Sequence, residues 1–193
     1  TVEDARRVID LGADAIGLNF VLGSKRRVSM EHAQSLLSAI AGRVEVVAVV
    51  ADPTDLEVKE LREELGISWL QLHGDEAPAR LTRLLPHAYK AVPIEDAADA
   101  RRAASFGGER LLVDSKVLGE SGGTGKLFDW QLVRELVAQR QLILAGGLTP
   151  DNVGGAVRTL RPFGVDVASG VESAPGRKDQ LKLEAFVLAA RKA

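Results

Sequence analysis

One residue of this sequence that could take part in catalysis is the aspartate at the end of an apolar run. Asp114 follows Leu111–Val113, and the loop after it is long and rich in glycine. A carboxyl group at the carboxyl end of a parallel strand is well placed for proton transfer, and partial burial would raise its pKa toward that of a general acid. Position alone leaves a second interpretation equally open, in which Asp114 only caps or orders its own loop.

His73 and Arg26 are two further polar residues in loops that follow apolar runs. Histidine suits acid–base work, but the other histidines, His32 and His87, fall on a helical pattern and in a turn at a helix end. No cluster of metal ligands results, so we expect no metal and interpret His73 as a hydrogen-bonding side chain that shapes a pocket. Arg26 could grip a carboxylate through two parallel hydrogen bonds, and the alternative is a solvated loop charge.

Two glycine turns indicate a different chemistry, the binding of an anion. Gly146 and Gly147 follow one apolar run, and Ser169 with Gly170 follows the next. Such turns let backbone N–H groups approach an anion closely, and in (β/α)₈ barrels the loops after strands seven and eight commonly hold a phosphate. Two turns on adjacent strands favour a phosphate site over tight turns without a ligand.

The segment Gly119–Lys126, GESGGTGK, is similar to a nucleotide-binding P-loop but departs from it. Glu120 stands where the first glycine of that motif belongs, and Leu127 replaces its serine or threonine. We therefore predict a lid that excludes water after a ligand enters, with a flexible surface loop as the alternative.

These residues would be positioned by short apolar strands that alternate with amphipathic helices, a pattern typical of a parallel sheet covered by helices. The first helix starts at Thr1, the seventh at Thr149–Pro150, and the eighth spans Gln180–Arg191. The predicted strands are Ala15–Phe20, Val44–Val50, Trp69–Leu72, Tyr89–Val92, Arg110–Val113, Gln141–Leu144 and Val165–Ala168.

Eight helices and seven strands fit a closed barrel better than an open flavodoxin-like sheet, which has about five parallel strands. A closed barrel requires an eighth strand to seal its edge. We therefore predict an α/β protein of one domain, residues 1–193, with a (β/α)₈ TIM-barrel fold whose strand one is absent from this sequence and belongs just before Thr1. Its absence would expose two unpaired edges and part of the interior.

Composition excludes several classes of function. With 25 basic and 27 acidic residues and a net charge of −2, the chain has no basic footprint for nucleic acid and no polybasic segment for a membrane. No apolar run approaches the ~20 residues of a membrane span, and no signal-peptide pattern opens the chain. Zero cysteines exclude disulfides and thiolate metal sites and favour a cytoplasmic location.

Taken together, these motifs resemble the phosphoribosylanthranilate isomerase family of tryptophan biosynthesis. The matching stretches keep the family's order from the first residue to near the last. They are Thr1–Ala5 (TVEDA), Gly12–Phe20 (GADAIGLNF), Ser24–Ser29 (SKRRVS), Gln71–Glu76 (QLHGDE), Leu112–Lys116 (LVDSK), Gly122–Trp130 (GGTGKLFDW), Leu144–Asn152 (LAGGLTPDN) and Arg161–Gly176 (RPFGVDVASGVESAPG).

The resemblance implies a (β/α)₈ fold without metal or organic cofactor. It also implies an Amadori rearrangement of N-(5-phosphoribosyl)anthranilate to the 1-deoxyribulose 5-phosphate product. Asp114 falls at the family's general acid, which protonates the ribose ring oxygen, and Arg26 falls where the family holds the anthranilate carboxylate. The residues at the family's phosphate loops are Gly146, Gly147, Ser169 and Gly170.

One departure from the family is the general base, a cysteine at the end of strand one in a Lys-Ile-Cys-Gly motif. This sequence has no cysteine, so we expect the base to lie on the strand that is absent before Thr1. The alternatives are a non-catalytic phosphosugar-binding barrel and the isomerase half of a fused biosynthetic enzyme. We expect a small phosphorylated substrate and either a monomer or a homodimer.

Overall fold

The computed structural model describes residues 1–40, 42–114 and 131–193, with the backbone alone at positions 131 and 132. Its main sheet consists of seven parallel strands that pair in chain order. They are β1 (Ala15–Asn19), β2 (Glu45–Val50), β3 (Trp69–Leu72), β4 (Ala88–Pro93), β5 (Arg110–Asp114), β6 (Gln141–Ala145) and β7 (Gly164–Val165). The predicted lid, Gly119–Lys126, lies outside the described residues.

A helix follows or precedes each strand, as the alternating pattern predicts. The described helices are α1 (Val2–Asp10), α2 (Met30–Ile40), α3 (Asp55–Glu63), α4 (Pro78–Leu84), α5 (Ala97–Ser105), α6 (Gln131–Gln139), α7 (Val153–Leu160) and α8 (Gln180–Arg191). Thr1 and Thr54 each accept a hydrogen bond from the backbone three residues on, forming the capping boxes that start α1 and α3.

Two hydrophobic cores lie on the two sides of the sheet. The larger lies between the sheet and the helices and includes Leu70, Leu111 and Leu144. The smaller lies on the inner side of the curled sheet and consists of Val47, Tyr89, Ala91, Leu112 and Ala145, with Trp69 and Ile143 packed against it. Because both faces of a barrel-type sheet are covered, most strand residues are apolar on both faces rather than alternating with polar ones.

Three local features differ from the sequence-based prediction. The last strand of the sheet is Gly164–Val165 and not Val165–Ala168. Helix α7 begins at Val153, three residues after Pro150, because a turn in which Thr149 O accepts from the Val153 amide precedes it. The loop after β7 also contains an unpredicted antiparallel pair, β8 (Glu172–Ala174) and β9 (Arg177–Lys178).

The main sheet ends on β1 and β7, which pair only with β2 and β6 respectively among the described strands. The helices nevertheless meet across this gap. Arg7 of α1 lies 3.1 Å from Glu184 of α8, and Gln180 donates a 3.5 Å hydrogen bond to Glu3. The described helices include none that is long and apolar enough to cross a membrane.

A buried ion pair fastens the loop after β3 to the helix-facing side of the sheet. Lys90 and Glu76 lie 3.0 Å apart with side chains that are 5% and 1% exposed. Lys90 also donates to the carbonyls of Leu72 (3.2 Å) and Gly74 (2.7 Å), on either side of His73. Burial acts to raise the pKa of Glu76, but the Lys90 hydrogen bond and backbone donors outweigh it, so the pKa lies below its ordinary value.

We expect Glu76→Gln to lower the free energy of unfolding by ~3–5 kcal/mol, because it leaves the buried Lys90 ammonium without its counter-charge. The double variant Glu76→Gln, Lys90→Met should lose less. Urea unfolding at pH 7 measures both. Glu63→Gln, which affects an exposed ion pair with Lys59, is the control and should change stability little.

The same pair predicts a pH dependence. Because the pKa of Glu76 is lower in the folded than in the unfolded protein, its stabilisation is present above about pH 4.3 and is lost as pH falls through the folded value. The stability difference between the parent protein and Glu76→Gln should therefore shrink on acidification below that pH. A difference that is constant down to pH 3 would contradict the assignment.

Candidate active site

One group of polar side chains on the inner side of the sheet lies at the carboxyl ends of the strands. Residues alternate along a strand, so Gln71 and His73 share a face with Trp69, and Asp114 shares a face with Leu112. Asp166, directly after β7, interacts with Gln71 and therefore lies on the same side. Strand pairing in register, with Asp114 opposite Ala145, brings these side chains to one edge of the sheet.

Hydrogen bonds link several of these polar side chains, which together form a polar layer at the carboxyl end of the sheet interior. Gln71 is buried and donates through Nε2 to the Tyr89 hydroxyl at 3.3 Å, while its Oε1 lies 3.4 Å from His73 Nδ1. The His73 backbone N–H donates to Val50 O at 2.7 Å, which continues the ladder between β2 and β3. Burial raises the pKa of Tyr89 to about 12, so its hydroxyl remains a neutral partner. His73 therefore lies within hydrogen-bond reach of Gln71, and its role in shaping a pocket stays a prediction.

Asp166 is a candidate that the sequence analysis missed. Although Asp166 is exposed, desolvation of its carboxyl acts to raise its pKa, and the charge of Asp114 acts in the same direction. Lys178, Gln71 and His73 oppose that shift, but the pKa remains above its ordinary value. Asp166 thus interacts electrostatically with the predicted general acid, Asp114, and with the predicted hydrogen-bonding residue, His73. Its signal in the sequence was a carboxylate that interrupts the apolar run Val165–Ala168.

The two predicted glycine turns lie in contact. Gly146 and Gly147 have positive φ angles of 84° and 61°, which allow the reversal at the end of β6 without a Cβ clash. A Cβ placed on Gly170 would overlap the carbonyl of Leu148. The Asn152 side chain closes the first turn by accepting from the Thr149 amide at 2.8 Å and donating to Gly147 O at 2.9 Å.

Arg26 forms an ion pair with a carboxylate of the protein itself, that of Glu172. Its Nε and Nη2 atoms donate to the two oxygens of Glu172 at 2.8 and 2.6 Å. The hydrogen bond to Glu172 raises the pKa of Arg26. Burial acts to raise the pKa of Glu172, but the hydrogen bond from Arg26 and the charge of Lys178 outweigh it, so that pKa lies below its ordinary value. The pair connects the loop after β1 to the loop that contains Gly170. Arg26 is therefore not the freely solvated loop charge of the alternative interpretation.

The opposite end of the sheet interior is closed by packing. The Arg110 guanidinium lies 3.9 Å from the centre of the Trp69 ring and pairs with Glu45 at 2.7 Å. An open cavity of about 450 Å³ near this end is lined by Trp69 and His87 among others, away from the polar layer. The proton-transfer candidates and glycine turns all lie at the carboxyl end instead, where barrel enzymes place their active sites.

Comparison with known proteins gives one consistent family. The family model described as N-(5′-phosphoribosyl)anthranilate (PRA) isomerase matches residues 1–189. N-(5′-phosphoribosyl)anthranilate isomerase of Magnetococcus marinus is 41% identical over 193 residues, which cover 100% of this chain and 92% of that protein.

Solved structures agree with the sequence comparison. Phosphoribosyl anthranilate isomerase from Thermotoga maritima superposes with a TM-score of 0.89 at 34% identity, over 100% of this chain and 95% of the other. A second structure of such an isomerase, in complex with reduced 1-(o-carboxyphenylamino)-1-deoxyribulose 5-phosphate, superposes with a TM-score of 0.85 at 31% identity. It aligns over 100% of this chain and 95% of its own.

Gly170→Ala should lower the free energy of unfolding by ~1–3 kcal/mol, because the added Cβ forces the two glycine turns apart. Urea unfolding provides the measurement. Gly155→Ala is the matched control: a Cβ there meets no atom within 4 Å, and alanine in a helix should stabilise by up to about 1 kcal/mol. Equal stability of both variants would show that the turns are not in contact.

Proposed function

Because the chain belongs to the N-(5′-phosphoribosyl)anthranilate (PRA) isomerase family, we propose that it catalyses the Amadori rearrangement of N-(5-phosphoribosyl)anthranilate in tryptophan biosynthesis. The product is 1-(2-carboxyphenylamino)-1-deoxyribulose 5-phosphate. The observation that carries the proposal is the grouping of Asp114, His73 and Asp166 at the carboxyl end of the sheet interior. Substrate and product are isomers, so the reaction needs only groups that move protons.

Asp114 is the proposed general acid. It protonates the ribose ring oxygen, the C1–oxygen bond breaks, and the nitrogen lone pair forms an iminium ion at C1. A base then removes the proton from C2, and the resulting enol tautomerises to the ketone when C1 is protonated. His73 binds the substrate as a hydrogen-bonding group. Asp166 is a neighbouring carboxyl whose pKa the charge of Asp114 acts to raise, which supports a site where the two groups interact.

The ends of the substrate carry negative charge, and the remaining site residues match them. We assign the phosphate to the backbone amides around Gly146, Gly147, Ser169 and Gly170. Contact between the two turns supports this assignment, because it brings both sets of amides to one place. We assign the anthranilate carboxylate to Arg26, whose guanidinium is suited to bidentate recognition. The ligand of the related solved structure is likewise a small phosphorylated molecule.

We further propose that residues 1–193 form one domain and that an additional strand closes the sheet into an eight-stranded barrel. The continuous pairing from β1 to β7 supports a single domain. The closing strand would pair with the outer edges of β1 and β7 and carry the base cysteine that the family resemblance implies. No cysteine occurs among the 193 residues, which is why the base is assigned to that strand.

Extending the chain at Thr1 by an apolar strand that ends in Lys-Ile-Cys-Gly should raise both stability and turnover. The strand satisfies backbone groups at two open edges, and its thiolate removes the C2 proton. Loss of anthranilate fluorescence follows turnover, and urea unfolding follows stability. In a matched extension with serine for cysteine, we expect the gain in stability without the gain in turnover.

If the added strand gives no gain in the free energy of unfolding, the closed-barrel proposal is contradicted. Binding of the phosphorylated ligand without turnover, even with the cysteine present, would instead select the non-catalytic phosphosugar-binding barrel.

Asp114→Asn in the extended protein should lower kcat by roughly 10²–10⁴-fold, because an amide cannot donate the proton that opens the ring. Affinity for reduced 1-(o-carboxyphenylamino)-1-deoxyribulose 5-phosphate should change much less, since that ligand is already open-chain. Asp10→Asn, at an exposed aspartate paired with Arg43 near the end of α1, is the control and should retain full turnover. Unchanged kcat in Asp114→Asn would rule out Asp114 as the acid.

A further inference from the structure

Glu172 is a buried carboxylate that the proposed reaction does not use. Its side chain is 5% exposed, and it lies at the start of β8, two residues after Gly170. A buried charge is costly unless partners compensate it. Glu172 has several partners, and their arrangement around the carboxylate indicates a role beyond neutralising a charge.

The main partner is Arg26, which lies 146 residues earlier in the chain. Arg26 uses the side-on edge of its guanidinium, with Nε donating to Oε1 at 2.8 Å and Nη2 to Oε2 at 2.6 Å. The Gly176 amide donates to Oε1 at 3.3 Å, and Lys178 Nζ lies 3.6 Å from the same oxygen. The carboxylate is therefore held in place from its own loop while it holds the arginine.

Only one edge of the guanidinium is engaged by this carboxylate. The described residues accept no hydrogen bond from Arg26 Nη1, and the side chain is 34% exposed. The end-on edge, formed by Nη1 and the second N–H of Nη2, has the same paired-donor geometry and suits a second carboxylate. One arginine can thus be held by one carboxylate and bind another.

Backbone packing independently joins the same two loops. A Cβ on Gly176, which has a φ of 79°, would lie 3.8 Å from the carbonyl oxygen of Lys25. The Arg26 amide also donates to Ser24 Oγ at 3.1 Å, which orders the turn that carries the arginine. The hairpin of β8 and β9 therefore lies beside the loop after β1, and Glu172 holds the Arg26 side chain between them.

We propose that Glu172 is a positioning residue that holds the Arg26 guanidinium with its end-on edge presented to the carboxylate of the substrate's anthranilate ring. This inference rests on the proposed function, since it takes Arg26 as the carboxylate-binding group. Holding the side chain before the ligand arrives removes the cost of ordering it on binding. Glu172 thereby contributes to recognition of the aromatic carboxylate and not to recognition of the phosphate.

The opposite effect, competition between Glu172 and the substrate carboxylate for Arg26, is equally testable. If the substrate carboxylate had to displace Glu172 from Arg26, then removing the Glu172 charge would strengthen binding. Positioning and competition therefore predict changes of opposite sign for the same substitution.

Calorimetric titration of Glu172→Gln with two probes distinguishes these effects. We expect the Kd for reduced 1-(o-carboxyphenylamino)-1-deoxyribulose 5-phosphate to rise about three- to tenfold, the range expected for losing one pre-ordered side chain. The Kd for inorganic phosphate, which lacks the carboxylate, should stay within about twofold. Glu184→Gln is the control, because Glu184 pairs with Arg7 in an exposed ion pair elsewhere on the protein and the substitution should change neither value.

Arg26→Lys provides a second variant in case Glu172→Gln folds poorly. A lysine keeps a positive charge beside Glu172 but has no second donor edge, so the carboxylate-bearing ligand should again bind more weakly while phosphate binding is retained. In the Arg26→Lys background, Glu172→Gln should add little further loss.

The outcomes separate the inference from the proposed function. Tighter binding of the carboxylate-bearing ligand by Glu172→Gln would support competition and overturn positioning. Equal weakening of the binding of both probes, or no change in either Kd, would also overturn positioning. Glu172 would then have a general structural effect on the site or no effect on binding. If the unsubstituted protein binds neither probe, the proposed function itself fails.

Discussion

The parallel direction of all seven main strands is the constraint on which the site depends. Parallel pairing places every strand's carboxyl end at one edge, and alternation of side chains sends every second residue to the inner side. Asp114 and Asp166 belong to strands that are not neighbours, yet the charge of one reaches the other. No local sequence motif brings these carboxylates together. The common strand direction and the register of the ladder do so.

Buried ion pairs then hold the loops that the sheet leaves free. Lys90–Glu76 ties the loop after β3 to the helix-facing core, and Arg26–Glu172 ties the loop after β1 to the loop after β7. Each pair has additional backbone partners, which is the condition under which buried charges are tolerated. Their value here is geometric, because each one specifies where a loop stands relative to the interior polar layer. At the amino end of the sheet, stacking of Arg110 on Trp69 serves packing instead.

Much of this architecture can be predicted from the sequence, because strand, helix and cap signals are local. The eighth helix spans Gln180–Arg191 as predicted. Pro150 misled the prediction for α7, since a proline that is compatible with a first helical turn is equally compatible with the turn that precedes it. Glu172 could not be found, because its partner lies 146 residues away and neither residue has a distinctive neighbourhood in the sequence. Asp166 was missed because it interrupts an apolar strand pattern and was interpreted as part of that strand.

The gap between β1 and β7, which α1 and α8 span, has a consequence for how copies of the protein associate. Arg7–Glu184 joins α1 to α8, and the outer edges of β1 and β7 carry backbone donors and acceptors that no other described strand pairs. Backbone hydrogen bonding carries no information about which polypeptide supplies the inserted segment. The strand proposed to close the barrel therefore also prevents these edges from pairing with extended segments of other copies.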